Sequence, residues 1–360
     1  MSKGDFKYSI KRYDLSEDRS LKAWSAADEF LLTSFSELEK SPNEVAIYND
    51  RFGFLACHLH QHSPLLITHQ RSQERAIQKN LEANKLGDLS FQLPLGKMDV
   101  EMDLVLMKIP KSLDLFRLFL EHIVHQSKKE VNVICAFMTR HFTQKILDIS
   151  MEYFEDVKQS KAIKKARVLH LSNKRANKKE NLIHHILFNN SEYKQYYGVF
   201  SSNHIDYASQ FLLKQLIVNK NDQCILDLAS GNGVIASEIA KDHPDSEYHL
   251  LDDSYLAVES AKMNLHGRDV HHHYNNDLSS FKEHTFDLIV TNPPFHFEHE
   301  INIQIALALF KDCYRILKVG GNIQIVGNRH LNYGIHLKKS FPSVKVIGEN
   351  NKFIVYQCFK

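Results

Sequence analysis

At an offset of 180 residues one half of this chain lies over the other. EVAIYNDRFGFLA, from Glu44, matches QCILDLASGNGVIA, from Gln223: Val45 falls on Ile225, and Gly53 to Ala56 fall on Gly233 to Ala236. Further on, DLVLMKIP from Asp103 lies over DLIVTNPP from Asp287 at an offset of 184. Between them LLITHQRS, ending at Ser72, parallels HLLDDS, ending at Ser254, and each leads into a helical pattern that closes near an asparagine, Asn84 or Asn264. Three ordered matches at nearly one offset mark a duplication, and 360 residues are enough for two copies of an ordinary domain.

Each half reads as strand, helix, strand, helix, with short strands too uniformly apolar to have a solvent-facing side. That is the pattern of a parallel sheet covered by helices on both faces. In the second half it predicts strands near 223–228, 247–252, 270–274, 286–291 and 322–327, and helices near 204–217, 233–242, 254–265 and 302–317. The last segment, VKVIGENNKFIVYQCF, differs: two β-rich runs flank Asn350 and Asn351, so a hairpin and an antiparallel final strand are expected. The polar stretch NKRANKKEN puts the boundary within 175–195, dividing the chain into residues 1–185 and 186–360.

The composition, 43% hydrophobic and 24% charged with a net charge of +2, is that of a globular protein whose polyanion partners would have to be met by a local patch. Five cysteines without CxxC spacing argue against a zinc site and for a reducing compartment, the cytoplasm. The N-terminus lacks an apolar h-region and no run of 18 apolar residues occurs, so a soluble protein with no signal peptide and no membrane span is expected. His271-His272-His273 tempts as a metal site, but on a strand its side chains alternate between faces, which suits no single tetrahedral site without distant help; no metal is expected.

Open parallel sheets bind ligands beyond the carboxyl ends of their strands, and the second half concentrates its unusual residues there. After the first strand, Asp227 leads into Ala229-Ser230-Gly231-Asn232-Gly233, whose glycines would let a ligand approach the main chain. GxGxxG and GK[ST] are both absent, so a nucleoside triphosphate is not expected. After the second strand, Asp252 and Asp253 stand where a carboxylate can accept from two ribose hydroxyls, with a solvated loop or a helix cap by Asp253 or Ser254 as the alternative. After the third, Asn276 and Asp277 could read an adenine edge or form an ordinary turn. The fourth ends in TNPPFH, Thr291 to His296. Asn292 and the Pro293 carbonyl, stiffened by Pro294, offer two acceptors, so a planar amine donating to both would face a third direction while Phe295 stacks on its ring. A turn that only ended a strand would need one proline at most and neither the asparagine nor the aromatic.

DxxxGxG from Asp227, the acidic residue after the second strand and NPPF after the fourth resemble the class I methyltransferases that use S-adenosylmethionine and act on planar amino groups. Over nearly the whole chain, GVFS at 198–201, ASGNGVI, TNPPFH, GNRHLNY at 327–333 and NNKF resemble the bacterial rRNA guanine-N2 methyltransferases, and NRHLNY and NNKF are more similar to their large-subunit members than to the small-subunit ones. The resemblance implies two tandem Rossmann-like α/β domains, the N-terminal one degenerate and the C-terminal one catalytic. It implies S-adenosylmethionine, bound by Asp227, Ala229, Gly231, Gly233, Asp252, Asp253, Asn276 and Asp277. It also implies a cytoplasmic monomer methylating a guanine N2 in 23S rRNA, naked or in a ribosomal precursor, with Asn292, Pro293, Pro294 and Phe295. Family members usually carry GCG where this chain has Ala229-Ser230-Gly231; alanine is small, and cofactor binding is expected to survive. NPP[FY] also serves adenine-N6 and glutamine-amide methyltransferases, so those substrates, 16S rRNA and a noncatalytic RNA-binding relict stand as alternatives.

By the same offsets the first half has Arg51 for Gly231, His69 for Asp252 and Lys108-Ile109 for Asn292-Pro293: it keeps the strands and loses the chemistry. RNA recognition is its expected role, with support of the other domain as the alternative. Lys158, Lys161, Lys164, Lys165, Arg167, Lys174, Arg175, Lys178 and Lys179 follow one another without an acidic residue between them, an expected RNA contact. A solvated helix face is the alternative, although such faces normally intersperse acids.

Overall fold

The computed structural model describes residues 7–13, 22–176, 180–267, 269–293 and 303–360, of which 303–307 by backbone alone. The chain divides into two compact units, Met1–Leu182 and Ile183–Lys360. The first contains α1 (Ala26–Ser36), β1 (Val45–Tyr48), α2 (Phe54–His58), β2 (Leu65–Ile67), α3 (Arg71–Ala83), β3 (Phe91–Gln92), β4 (Met102–Lys108), α4 (Leu113–Gln126), β5 (Ser127–Met138), α5 (Gln144–Tyr153), β6 (Phe154–Gln159) and β7 (Ala166–Lys174). The second opens with a separate hairpin, β8 (Ile183–Phe188) and β9 (Ser191–Tyr196). There follow α6 (Tyr207–Gln215), β10 (Cys224–Leu228), α7 (Val234–Asp242), β11 (Glu247–Asp252), α8 (Tyr255–Asn264), β12 (Val270–Tyr274), β13 (Phe286–Thr291), α9 (Ile303–Ile316), β14 (Leu317–Asn328), α10 (Tyr333–Leu337), β15 (Ser343–Glu349) and β16 (Phe353–Phe359).

The two seven-stranded sheets have the same order, β3-β2-β1-β4-β5-β7-β6 and β12-β11-β10-β13-β14-β16-β15. Strand order reverses beside β1 and β10, the place where open α/β sheets hold their ligands. The predicted parallel strands of the second half are all present, and β16 runs antiparallel to both β14 and β15 as the hairpin signal required. Their uniform hydrophobicity has the expected cause. Leu226, Leu228, Phe286 and Ile289 pack on one side of the sheet with Phe310 and Ile316, while Ile225, Leu288 and Val290 pack on the other with Leu212, Ile235 and Ile239.

Ladder registers correct the alignment of the halves. Tyr48 pairs with Ile67, and its counterpart Leu228 pairs with Leu251, so the offset is already 184 at the second strand. Thr68, not His69, therefore stands where Asp252 does, and Asn80, not Asn84, matches Asn264. Asn80 donates to the carbonyls of Lys11 and Phe52 and accepts from the Lys11 amide; Asn264 does the same with Lys194 and Asn232. The four residues are lost from the first helix, since α2 has 5 residues and α7 has 9, about one turn more. The aspartate shared by DLVLMKIP and DLIVTNPP proves to be structural. Asp103 accepts from the amides of Asn43 and Glu44, and Asp287 from those of Gln223 and Cys224.

Candidate active site

The turn after β10 is built from left-handed backbone at Ala229 (φ 59°), Gly231 (φ 56°) and Gly233 (φ 78°). A side chain at Gly233 would meet Leu250 Cδ2 at 3.0 Å and Ala261 Cβ at 3.1 Å, so this glycine lets α7 sit close to α8 and the sheet. At Gly231 a Cβ would meet nothing within 4 Å: that side of the turn is open. Ala229 holds a conformation that costs an L-residue with a Cβ about 1 kcal/mol, which the missing glycine would have avoided.

Asp227 is fully buried at the end of β10, its Oδ2 accepting from the Ala236 amide at 3.0 Å. Burial pushes its carboxyl up to about 8 against that hydrogen bond. Its Oδ1 and the buried Ser230 Oγ have no hydrogen-bond partner among the described residues. Asp252, at the end of β11, accepts from Ser254 N with Oδ1 (2.8 Å) and from Gly231 N with Oδ2 (2.9 Å). Each oxygen thus keeps a further lone pair, and the carboxylate ties the turn to the next strand end. Burial raises it to about 6, opposed by the same two amides. Asp253 follows it, half-buried, and Ser254 is the residue that caps α8, accepting from Ala257 N. Beyond β12, Asp277 accepts from both the amide and the hydroxyl of Ser279, which forms a local turn, while Asn276 donates its amide to Asn275 Oδ1.

At the end of β13 the Asn292 side chain is oriented by residues that the sequence reading missed. Its Nδ2 donates to Asp206 Oδ2 at 2.9 Å and to Ser209 Oγ at 3.0 Å. A carboxylate only accepts, so the amide nitrogen must face Asp206 and Oδ1 must face away. Asp206 is itself fixed as the cap of α6, accepting from the amides of Ala208 and Ser209. An aspartate just before an apolar helical run was a readable cap signal; its partner 86 residues away was not. Pro293 is buried beside Asn292, and Thr291 Oγ1 bonds the Leu228 carbonyl at 2.7 Å, bracing the two strand ends. Pro294 and Phe295 lie outside the described residues.

Among the described residues, Lys158 to Lys174 of the basic run lie on the β6–β7 hairpin and its turn, and not on a helix, and Arg175 follows β7. Lys158, Lys161, Lys164 and Lys165 are exposed, with Lys164 paired to Glu29 at 2.9 Å, and Arg167 is half-buried. Lys174 turns inward: its ammonium donates to the carbonyls of Val124 and Ser127 and closes the end of α4. Arg175 donates to the Met151 carbonyl. Lys178 and Lys179 lie outside the described residues. Among the described residues no helix is long and apolar enough to cross a membrane.

Residues 1–177 match the RLMG N-terminal domain family and residues 190–357 the Methyltransferase small domain family. Among curated relatives, "Ribosomal RNA large subunit methyltransferase G" of Vibrio vulnificus is 30% identical over 99% of this chain and 98% of its own length. The protein of the same name from Pectobacterium atrosepticum is 34% identical, covering 98% and 96%. The chain belongs to the ribosomal RNA large subunit methyltransferase G family. In fold it is similar to the T. thermophilus 16S rRNA N2 methyltransferase (RsmC), solved in complex with AdoMet and guanosine, with a TM-score of 0.76 at 20% identity over 93% of this chain and 92% of that one. That likeness extends over both seven-stranded sheets and leaves the chemistry to be argued from this chain's own residues.

Proposed function

We propose that this member of the family transfers a methyl group from S-adenosylmethionine to the exocyclic N2 amine of a guanine in 23S rRNA. The observation that carries the reading is the orientation of Asn292, whose Nδ2 is spent on Asp206 and Ser209 and whose Oδ1 is left as an acceptor beside the strand-order reversal. S-adenosylmethionine, when bound, supplies a methyl group on a positively charged sulfur. The residues present fit it: Gly231 is open on one side, both Asp252 oxygens retain lone pairs, and Asp227 Oδ1 and Ser230 Oγ have no partner among the described residues.

In this reading Asp252 accepts from the two ribose hydroxyls, the 229–233 backbone lies along the cofactor, and Asn276 and Asp277 meet its adenine. Asn292 Oδ1 and the Pro293 carbonyl each accept one hydrogen of the guanine amine, turning its lone pair out of conjugation and toward the methyl group. Phe295 holds the base plane, and the guanine has to be unpaired or extruded to arrive there. Positive charge grows on the amine nitrogen as the new bond forms, so both acceptors bind the transition state more strongly than the ground state. The methylated amine is acidic, and no strong base is required. The first domain, ending near residue 185, serves RNA recognition through Lys158 on β6 and Lys161 and Lys165 on the hairpin turn, and the protein works in the cytoplasm as a monomer.

Incubation with methyl-labelled cofactor and 23S rRNA, 16S rRNA or assembled large subunits, followed by nucleoside analysis, tests this. Label is expected in N2-methylguanosine from 23S rRNA. Label in N6-methyladenosine or in 16S rRNA would replace the substrate assignment. Failure to bind the cofactor in calorimetry would leave the RNA-binding relict.

A further inference from the structure

At the end of the second sheet opposite the candidate active site, polar side chains from three adjacent strands converge on one face. Cys224 opens β10, Glu247 opens β11 beside it in the ladder, His249 lies two residues further, and His271 pairs with His249 across β12. Because strands alternate with period two, all four point to the same side. Cys224 Sγ, a Glu247 oxygen and a His249 ring nitrogen lie within 4.8 Å of one another. Glu247 Oε1 is 2.9 Å from His249 Nε2 and 3.2 Å from His271 Nε2. His249 Nδ1 is 2.9 Å from His273 Nε2, and the rings of Phe281 and Phe286 stand edge-on against His249. The histidine triplet alone suited no tetrahedral site, and the neighbouring strands supply what it lacked.

We propose that Cys224, Glu247, His249 and His271 form a binding site for a divalent transition metal of the zinc type, with His273 fixing the His249 ring from behind. One sulfur, two imidazole nitrogens and one carboxylate oxygen make a zinc-type donor set. Tetrahedral ligands about 2.0–2.3 Å from such an ion stand about 3.3–3.8 Å apart. The Oε1–Nε2 pairs therefore have to open slightly, the thiol has to turn inward, and His271, which lies outside the 4.8 Å group and is near Glu247, has to swing its Nε2 toward the other ligands. Glu247 and His271 are each 46% exposed and give the ion a path from solvent, while His249, at 13%, forms the protected floor.

The hydrogens balance in both states. Without metal, His273 Nε2–H can donate to His249 Nδ1, and the Nε2–H groups of His249 and His271 to Glu247. With metal, all three rings carry their hydrogen on Nδ1 instead, so His249 donates to His273 in the way ligating histidines use their second nitrogen. No imidazole loses a proton, and Cys224 releases one.

The test is titration of the chelator-treated full chain with Co²⁺, followed by absorbance, and with Zn²⁺, followed by calorimetry. One equivalent of Co²⁺ should give intense tetrahedral bands and a thiolate-to-cobalt charge-transfer band, both abolished by Zn²⁺. Cys224→Ser should lose only the charge-transfer band. Glu247→Gln and His271→Ala should each weaken binding at least about tenfold, whereas His284→Ala, at an exposed histidine elsewhere, should not. Both test residues are half-exposed, so their variants should fold, which circular dichroism checks. Weak octahedral spectra, the absence of one-to-one binding, or wild-type affinity in Glu247→Gln would overturn the site.

Discussion

After β1 the chain turns at Asn49 (φ 61°) and enters α2 through Gly53 (φ 82°); after β10 it turns at Ala229 (φ 59°) and enters α7 through Gly233 (φ 78°). The backbone is nearly the same, and the side chains use it differently. In the first unit Asp50 lies within the turn and closes it, Oδ1 accepting from Gly53 and Phe54 and Oδ2 from Ala56. In the second, Asp227 reaches the matching Ala236 amide from the strand with one oxygen and leaves the other unpartnered among the described residues. At the fourth strand Lys108 replaces Asn292, and its ammonium pairs at 2.8 Å with Asp28, three residues after the cap of α1, the position that Ser209 holds in α6. Where Asp252 offers a carboxylate, Thr68 spends its hydroxyl on Glu74. At these three positions the first copy satisfies its polar groups internally, and the second keeps acceptors available. A duplicated scaffold without a ligand has to fill the polar vacancy or bear the desolvation cost.

The contrast is most open to attack at the fourth strand. Asn292→Ala should lower kcat about 10²–10³-fold in the labelled-methyl assay with cofactor affinity nearly unchanged; full turnover would sink the proposed chemistry. Lys108→Ala should do the reverse, leaving turnover of the folded protein intact while costing about 2–3 kcal/mol in denaturant unfolding, because Asp28 is left buried without its cation.

One substitution made in both turns comes next. Asp50→Asn should cost about 2 kcal/mol, since an amide must point its own N–H at a backbone donor whichever way it is turned. Asp227→Asn has a single backbone donor to satisfy and should cost less than about 1 kcal/mol in the same measurement. Equal losses would mean that the turns are not used differently.

For Asp252 the prediction is a pH profile. Its carboxyl titrates near 6 and accepts fully from two hydroxyls only when ionised, so cofactor affinity by calorimetry should be highest above pH 6 and fall below it. Asp252→Asn should flatten the profile. The smallest effect is expected at Ala229→Gly, which relieves left-handed strain at some cost in unfolded-chain entropy, for a net gain of about 0.5 kcal/mol in thermal unfolding.

Much of this was legible before any coordinates. The inner strands β10, β13 and β14 were readable because most of their residues are buried on both faces, and the hairpin before β16 because Asn350 and Asn351 interrupt two β-rich runs. TNPPFH was readable because two prolines after an apolar run are costly without a use. The offset between halves was not, since short apolar matches tolerate a missing helical turn that only ladder pairing reveals. The basic run showed its charge but not its geometry: Lys174 has the same composition signature as its neighbours and closes a helix end instead.

The sequence by itself determined a duplicated parallel α/β chain in which the second copy alone has the DxxxGxG and NPPF residues, because burial and turn formation are local constraints written in residue type and spacing. Only the tertiary structure decided which way the Asn292 amide faces, that Lys108 and Asp28 neutralise each other, and that Cys224, Glu247, His249 and His271 share a face. Each depends on side chains from strands or helices distant along the chain, and packing alone sets which of them meet.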